Sequence, residues 1–241
     1  MNSAANIEGK DNLLEFKKKQ NSSSTWYQRW GKRGLDLCFS APALILLSPV
    51  FLISALAVRL DSSGPIFFRQ RRIGRYGRPF YVLKFRTMIH DPERKGPTVT
   101  ASSDTRITRV GRFLRKSKLD ELPQLLNVVS GQMTLVGPRP EVAEYVALYT
   151  QEQSAVLQLK PGITGAASLS FSNEEAELAA QNSPEEYYVR VLMPRKLMLD
   201  LEYSAKVSLK EDIRLIALTV TKIVRHAFKS TPGVTARESA L

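Results

Sequence analysis

The chain has 241 residues, which is enough for one domain with a sizeable hydrophobic core and additional segments. Its formal net charge of +12 at pH 7 indicates an anionic partner, either nucleic acid, a phosphorylated metabolite or an acidic membrane surface. The single cysteine, Cys38, excludes an intramolecular disulfide bond. With only 2 histidines, the sequence gives little support to a zinc site or a histidine-based catalytic triad.

The N-terminal segment, residues 1–24, is polar and contains several serines, asparagines and lysines. Such a composition predicts a disordered polar arm. The segment lacks the short apolar core and small-residue cleavage site of a secretory signal. Trp26 and Trp30 follow it, close to Lys32, and aromatic residues beside cations are typical of a membrane interface.

A long apolar run extends from Leu37 to Val58 and contains no charged side chain. It exceeds the roughly 20 apolar residues with which a helix crosses a bilayer. Cations flank both ends of the run. Because positively charged flanks favour the cytoplasmic side of a membrane, this pattern fits best if both ends lie on that side. Pro42 and the pair Ser48-Pro49 interrupt the run. A proline removes a backbone hydrogen bond and bends a helix, and a serine hydroxyl can satisfy the freed carbonyl.

These features allow more than one structure for the apolar run. A helix bent at Ser48-Pro49 can enter one leaflet and return to the side from which it came. A straight transmembrane anchor with a proline kink satisfies the same length and composition. A buried helix of a soluble domain is the third alternative.

A basic hairpin is predicted after the apolar run. Residues 66–70 and 80–86 read as strands, and the turn between them is rich in arginine and glycine. Gly74 and Gly77 are too sparse for a dinucleotide-binding fingerprint. The arginines could face phosphate oxygens, which their planar forks match. The alternative, which suits most of them, is a solvated cationic surface near anionic lipid.

The stretch from Lys118 to Asn127 places Asp120 and Glu121 at the start of an amphipathic run. Leucines at helical spacing predict a helix with one face on the core, and its first turn favours negative charge. Because a dense cationic segment precedes the acid pair, both carboxylates are expected to stay ionised at neutral pH. Such a pair alone is more often a helix cap than a catalyst, but these surroundings favour the catalytic alternative.

The C-terminal half is predicted to be mostly helical. A short strand over residues 133–136 leads into Gly137-Pro138-Arg139-Pro140, where two prolines restrict one arginine. This rigidity suits a phosphate contact, although a proline-rich turn before a helix is the simpler alternative. Helices are predicted over residues 141–149, over 184–204 with a break or restart at Pro194, and over 210–228. The last is amphipathic and basic, which fits either a membrane surface or packing on the core.

Taken in order, these segments resemble the bacterial sugar transferases known as monotopic phosphoglycosyl transferases. The resemblance extends from about Lys32 to Phe228 and depends on the ordered set of motifs, because each motif alone is weak. The motifs are Lys32-Arg33 with Leu35-Asp36, Ser48-Pro49, Gly64-Pro65-Ile66-Phe67-Phe68-Arg69-Gln70, Lys84-Phe85-Arg86-Thr87-Met88, Leu119-Asp120-Glu121-Leu122-Pro123-Gln124, Gly137-Pro138-Arg139-Pro140, Lys160-Pro161-Gly162-Ile163-Thr164-Gly165, and Leu199-Asp200 followed by Glu202-Tyr203.

The resemblance implies an α/β (α+β) fold with a re-entrant membrane helix. In this arrangement residues 25–60 form a helix-break-helix bent at Ser48-Pro49, and residues 61–229 form a small cytosolic catalytic domain with amphipathic interfacial helices. Residues 230–241 are expected to be a flexible tail. The resemblance also implies a location in the bacterial inner (cytoplasmic) membrane, with the catalytic domain on its cytoplasmic face.

The resemblance further implies the chemistry and its participants. Asp120 would attack the β-phosphate of a UDP-sugar, UMP would leave, and the phosphosugar would pass from Asp120 to undecaprenyl phosphate. Glu121 would act as a base or as a positioning group, and Mg²⁺ would support the acidic site at Asp120. The residues implied to bind the substrate or its phosphates are Lys84, Arg86, Arg139 and Asp200.

A second class of function also fits the positive charge. A membrane-anchored basic binding or scaffold protein of a polysaccharide assembly complex would explain the net charge of +12. It gives no reason for the Asp120-Glu121 pair or for the order of the motifs. We therefore predict a transferase that works at the lipid bilayer without a nucleic-acid partner. The motifs leave open the sugar, the glycan pathway and whether the protein forms a homo-oligomer.

Overall fold

The structure is a computed structural model that describes residues 26–89 and 104–229. The polar arm predicted over residues 1–24 and the tail predicted over 230–241 lie outside the described residues. Most of the loop between the hairpin and the cationic segment also lies outside them.

Two apolar helices begin the described chain. A π-helical turn, Tyr27–Gly31, leads into α1, Lys32–Leu46, and α2 follows as Ser48–Asp61. The two helices meet at a bend of 62°. Pro49 lies in the first turn of α2, and the Ser48 hydroxyl donates a hydrogen bond to the Ile45 carbonyl at 2.7 Å. The predicted bend at Ser48-Pro49 is therefore confirmed.

No single helix of the described residues meets the length and hydropathy of a membrane span, whereas α1 and α2 together do. By length and composition alone, a bent pair of this kind is compatible with a broken span, with a re-entrant loop or with the core helices of a soluble protein. Large apolar side chains on both helices are exposed, which favours contact with an apolar medium over a buried position in a soluble core. These exposed side chains are Leu37, Phe39, Ile45, Leu46, Leu52, Ile53, Leu56 and Leu60.

The predicted basic hairpin is confirmed. Strands β1, Phe67–Ile73, and β2, Pro79–Phe85, pair in antiparallel register, from Phe67 opposite Phe85 to Ile73 opposite Pro79. The end of the hairpin nearest α2 packs on that helix, where the ring centroids of Phe51 and Phe85 are 4.9 Å apart. The hairpin thus extends directly from the base of the apolar helix pair.

A second, smaller sheet pairs β3, Thr134–Val136, in parallel with β4, Gly162–Thr164. The segments that contain Gly137 and Gly162 approach each other closely at this sheet. A Cβ atom on Gly162 would lie 2.2 Å from the Gly137 nitrogen, so no side chain fits there. This close approach fixes the start of the loop Gly137-Pro138-Arg139-Pro140.

The remaining elements are helical, so the mixed fold class is confirmed although both sheets have two strands. They are a 3₁₀ turn (Arg75–Gly77), α3 (Arg109–Lys116), a 3₁₀ turn (Leu119–Glu121), α4 (Gln124–Val129), α5 (Ala143–Val146), a 3₁₀ segment (Gln153–Gln158), α6 (Ala166–Ser170), α7 (Glu174–Ala179), α8 (Pro184–Tyr187), a π-helical turn (Tyr188–Leu192), α9 (Met193–Lys206) and α10 (Leu209–Lys229).

One predicted helix differs from the structure. The helix predicted over residues 141–149 is reduced to the four residues of α5. The restart predicted at Pro194 is confirmed, because α9 begins at Met193 and Pro194 lies in its first turn, where the missing N–H has no intrahelical partner to lose. α9 carries buried Leu197 and Tyr203, and α10 packs against the second sheet through Leu215 and partly buried Ile216.

Candidate active site

The acid pair lies in a short turn that precedes a helix. The predicted amphipathic helix is divided, because Asp120 and Glu121 belong to the 3₁₀ turn Leu119–Glu121 and α4 begins only after Pro123. Lys118 enters the turn with a φ angle of 58°, an uncommon left-handed conformation for a residue with a side chain. Backbone strain of this kind tends to occur at functional sites.

The turn is attached to the apolar helix pair by packing. Leu119 and Leu122, on either side of the acid pair, lie against a cluster that contains Val58 of α2 and Phe85 of β2. The chain therefore builds the turn against the base of the helix pair. Because Leu119 and Leu122 pack at this junction, the acid pair between them is held there as well.

Glu121 is held between two cations. Lys84 of β2 donates to its Oε1 at 3.1 Å, and Arg139 donates to the same oxygen at 2.6 Å and to Oε2 at 3.4 Å. Although burial raises the pKa of Glu121, the charges of Arg139 and Lys84 outweigh that effect and hold it well below its usual value. Burial in turn lowers the pKa of Lys84, whereas the Glu121 carboxylate raises that of Arg139.

Asp120 has a different environment from its neighbour. It is 9% exposed, and its Oδ1 has no hydrogen-bond partner among the described residues. Burial, and then the negative charge of Glu121, raise its pKa from 3.8 to about 6, against the opposing effect of Lys84. Both pKa values lie below neutral pH, which agrees with the expectation that both carboxylates stay ionised there, although for Asp120 burial outweighs the effect of the surrounding cations.

The loop that carries Arg139 is fixed from both sides. The carboxylate of Glu141 accepts hydrogen bonds from Arg72 at 2.8 Å and from the Tyr188 hydroxyl, and its carbonyl accepts one from the Ile73 N–H at 2.8 Å. Glu141 thereby joins the hairpin to the π-helical turn. Sequence reasoning missed this residue, which had no signal beyond its position after the prolines.

Asp200 of α9 and Arg139 line the same cleft. Pro140 and Tyr149 also line this cleft. The side chain of Asp200 is buried, and its Oδ1 has no hydrogen-bond partner among the described residues. Burial raises its pKa from 3.8 to about 7, although the backbone N–H of Ala167 acts in the opposite direction. A carboxylate repels phosphate, so of the two predicted contacts, with the substrate or with its phosphates, this position suits a hydroxyl or N–H donor of the substrate.

Arg86 has a structural position, which corrects its predicted contact with phosphate. Its guanidinium donates to the carbonyl of Pro65 at 2.5 Å, of Ser62 at 2.6 Å and of Val58 at 3.2 Å. These carbonyls belong to the end of α2 and the segment after it. Because the group is buried and engaged there, it stabilises the exit of the apolar helix pair and is not turned to the acid pair.

Asn127 is a further residue whose role sequence reasoning missed. Its side chain accepts from the Leu83 N–H at 3.0 Å and donates to the Tyr81 carbonyl at 2.8 Å, so it fixes α4 beside β2. A polar residue among the apolar positions of α4 was the available signal. Its effect is to hold Lys84 in register with the 3₁₀ turn Leu119–Glu121, which is called the acid turn below.

The side chain of Asp120 is itself compatible with a magnesium ion. No group of three or more histidine, cysteine, aspartate or glutamate side chains that could hold a metal is present among the described residues. Mg²⁺, however, is usually bound through one or two carboxylates together with substrate phosphates. The partnerless oxygen of Asp120 fits that mode of binding.

Comparisons with known proteins bear on this site. Residues 27–226 match the family described as bacterial sugar transferase. The chain is 41% identical over 194 residues to the UDP-glucose:undecaprenyl-phosphate glucose-1-phosphate transferase of Xanthomonas campestris pv. campestris, covering 78% of this chain and 38% of that protein. It is 37% identical over 206 residues to the uncharacterized sugar transferase EpsL of Bacillus subtilis, covering 85% of this chain and 93% of EpsL.

A third relative carries a different sugar in its name. The UDP-N-acetylgalactosamine-undecaprenyl-phosphate N-acetylgalactosaminephosphotransferase of Aeromonas hydrophila is 40% identical over 137 residues, which cover 56% of this chain and 32% of that protein. The chain thus spans well under half of two of these relatives and nearly all of EpsL. Because the family match covers most of the chain, and EpsL aligns over nearly its whole length, the chain belongs to the bacterial sugar transferase family, as its motifs predicted.

Proposed function

We propose that this protein transfers a sugar phosphate from a UDP-sugar to undecaprenyl phosphate through a covalent intermediate on Asp120. The observation that carries the proposal is the buried Asp120 oxygen, which has no hydrogen-bond partner in the described part of the chain and lies beside a glutamate held by two cations. The names of the relatives support the donor and the acceptor. The range of sugars in those names leaves the sugar of this chain open.

In the first step an Asp120 carboxylate oxygen attacks the β-phosphorus of the UDP-sugar. A new P–O bond forms to Asp120, the bond from phosphorus to the bridging oxygen breaks, and UMP leaves with that oxygen. An unpartnered carboxylate is suited to this role because no hydrogen bond has to be broken before it attacks. A covalent intermediate divides one difficult displacement into two easier ones.

In the second step a phosphate oxygen of undecaprenyl phosphate attacks the same phosphorus. The bond to Asp120 breaks, the carboxylate is regenerated, and the product is a diphosphate that links the lipid to the sugar. No proton has to be removed from an ionised acceptor phosphate. A general base is therefore not required in either step.

Lys84 and Arg139 are the cations that neutralise the phosphates in this proposal. Phosphoryl transfer depends mainly on placement and charge neutralisation. Of the two roles expected for Glu121, positioning fits better than base catalysis, because its lowered pKa leaves it a weak base at neutral pH. A magnesium ion held by Asp120 and the substrate phosphates would supply further neutralisation of negative charge.

In this proposal the apolar helix pair places the site at the membrane, where the second substrate is found. Undecaprenyl phosphate is a hydrophobic lipid with its phosphate at the membrane interface. The acid turn packs on α2 through Leu119 and Leu122, so a re-entrant pair would hold Asp120 near that interface. Both reactants then meet a fixed nucleophile, which removes much of the entropic cost of the encounter. The proposed site is the cytoplasmic face of the bacterial inner membrane.

The test is a UMP-release assay with membrane-extracted protein, Mg²⁺ and a panel of UDP-sugars, first without and then with undecaprenyl phosphate. One donor should release about one UMP per enzyme without acceptor and should turn over continuously with it. Mass spectrometry should find a phosphosugar on the peptide that contains Asp120. If no donor releases UMP and no adduct forms, the proposal is wrong.

The binding or scaffold alternative makes the opposite prediction for Asp120→Asn. As a scaffold, the variant would retain every function of the parent, whereas as a transferase it would lose UMP release and the adduct.

Membrane topology is tested separately by labelling single cysteines placed before Tyr27 and after Asp61. Both should be modified from the cytoplasmic side only. Labels on opposite sides would show a broken span and exclude the re-entrant arrangement.

A further inference from the structure

The first turn of α1 contacts the rest of the protein through charged side chains. Lys32 lies 2.5 Å from the carboxylate of Asp212 in α10 and 2.7 Å from the hydroxyl of Tyr203 in α9. Asp212 is 0% exposed and also accepts hydrogen bonds from Tyr203 and from Tyr27, each at 2.5 Å. One lysine of the apolar helix pair is thus joined to the two long C-terminal helices.

The next residue of α1 reaches the element that follows the acid turn. Arg33 donates to the carbonyls of Val128 at 2.6 Å and Val129 at 2.7 Å, at the C-terminal end of α4. These are carbonyls that a helix end leaves without an intrahelical partner. Because α4 follows the turn that contains Asp120, Arg33 links α1 to the acid turn through the length of α4.

A third charged residue, one turn further along α1, reaches the second sheet. Asp36 is 2% exposed, and its Oδ1 accepts hydrogen bonds from the Thr134 hydroxyl and the Leu135 N–H, both at 2.8 Å. β3, to which both donors belong, runs into the loop that carries Arg139. Asp36 therefore links α1 to the strand that precedes the Arg139 loop.

Together these contacts fix the direction of α1 relative to Asp120. Apolar packing alone is non-directional and lets a helix shift, whereas directional bonds to three separate elements leave it one orientation. The far end of the helix pair is fixed as well, through Arg86 to the carbonyls after α2 and through Asp61 to the Val110 N–H at 3.0 Å. The pair is tied to the catalytic domain at both ends.

We infer that Lys32, Arg33 and Asp36 are positioning residues for the second step alone, in which the lipid acceptor meets the phosphosugar on Asp120. This inference rests on the proposed function. In the proposed function the soluble donor meets Lys84 and Arg139 of the catalytic domain, so its reaction with Asp120 requires these two cations in place but does not require one fixed direction of α1. The acceptor arrives along the apolar helix pair, and its phosphate must reach a phosphorus already fixed on Asp120.

The test compares the two half-reactions in Lys32→Met, which keeps the apolar stem and removes the charge. Without acceptor, the burst of UMP should keep its amplitude and stay within about twofold of the parent in rate. With acceptor, turnover should fall by about tenfold or more, because a displacement of about 1 Å is enough to cost such factors. Lys32→Arg should restore part of this turnover, since it restores the charge opposite Asp212.

Arg33→Gln should show the same split, and it serves as the second variant if Lys32→Met does not fold. Lys206→Met is the matched control, because Lys206 is exposed at the end of α9. This substitution removes one lysine charge that takes no part in these contacts. It should leave both half-reactions unchanged. Equal losses in both half-reactions, or unchanged turnover in Lys32→Met and Arg33→Gln, would overturn the inference. A parent protein without a UMP burst would instead refute the proposed function.

Discussion

Two buried aspartates, Asp120 in the acid turn and Asp212, the partner of Lys32 in the anchor of α1, differ in how their oxygens are paired. The anchor of α1 is the set of contacts that Lys32, Arg33 and Asp36 make with the rest of the protein. Both carboxylate oxygens of Asp212 accept hydrogen bonds, from Tyr203 on one and from Tyr27 and Lys32 on the other. One oxygen of Asp120 has no partner among the described residues. Buried polar groups in native proteins are nearly always paired, so an unpaired one calls for an explanation.

The difference separates structural acids from a reactive one. A fully paired network fixes its elements in one arrangement, and each of its members is costly to remove. An unpaired carboxylate costs stability, as the pKa of Asp120, raised from 3.8 to about 6, also shows. Such a group is retained where it has a chemical use. On this basis Asp120, rather than Asp212, is the expected nucleophile.

The largest predicted effect is that of Asp120→Asn on activity. UMP release should fall by on the order of 10³-fold or more, because the covalent intermediate cannot form. The melting temperature should be equal to or above that of the parent, since the change removes a buried and unpaired charge. Thermal unfolding followed beside the UMP assay checks both statements. A clear loss of melting temperature would mean that Asp120 has a structural role.

A smaller loss is expected for Glu121→Gln. The amide weakens the hold on Lys84 and Arg139, so both cations lose the position in which they would meet the phosphates. Turnover should fall by roughly 10²-fold, as when one positioned charge is removed from an active site. The pH profile should keep its shape but move to lower pH, because Glu121 is not proposed to exchange protons while its negative charge contributes to the raised pKa of Asp120. A profile that loses one of its limbs would instead identify Glu121 as a base.

How far the sequence predicts this site depends on the range of the contacts. The bend at Ser48-Pro49 and the hairpin were predicted because proline and alternating strand patterns act locally. The partners of Glu121 lie 37 and 18 positions away in the chain, in Lys84 and Arg139. Only the ordered family motifs indicated that these residues act together, since no local pattern records such a pairing.

Two features of the site depend on contacts that the sequence does not record. The guanidinium of an arginine can donate to backbone carbonyls as well as to phosphate, so the sequence after β2 could not show that Arg86 turns to the end of α2. Likewise, the cations before Asp120 predicted a carboxylate that is ionised at neutral pH, but they did not show that burial raises its pKa to about 6. Burial arises from packing against α2, which the order of residues does not reveal.

The pH dependence of the first step should follow Asp120. Its pKa is raised from 3.8 to about 6, so the nucleophilic carboxylate is protonated below that pH. The rate of the UMP burst should fall by about tenfold per pH unit below pH 6. Because the fold favours the neutral form, the contribution of this group to stability should decrease as the pH rises from 3.8 to about 6. Rapid-quench bursts across this range test the profile, and a rate that stays constant to about pH 4.5 would contradict it.

The smallest effect concerns the anchor and completes the comparison with Asp120. Asp36→Ala removes the acceptor of two hydrogen bonds, from the Thr134 hydroxyl and the Leu135 N–H, and leaves both donors buried. The free energy of unfolding should fall by roughly 1–3 kcal/mol, the usual cost of such unsatisfied groups. Glu202→Ala, an exposed acid of α9, is the control and should have almost no effect. Denaturant unfolding in detergent measures both. If Asp36→Ala is no less stable than Glu202→Ala, the paired acids of the anchor do not stabilise the fold, and the contrast with Asp120 loses its basis.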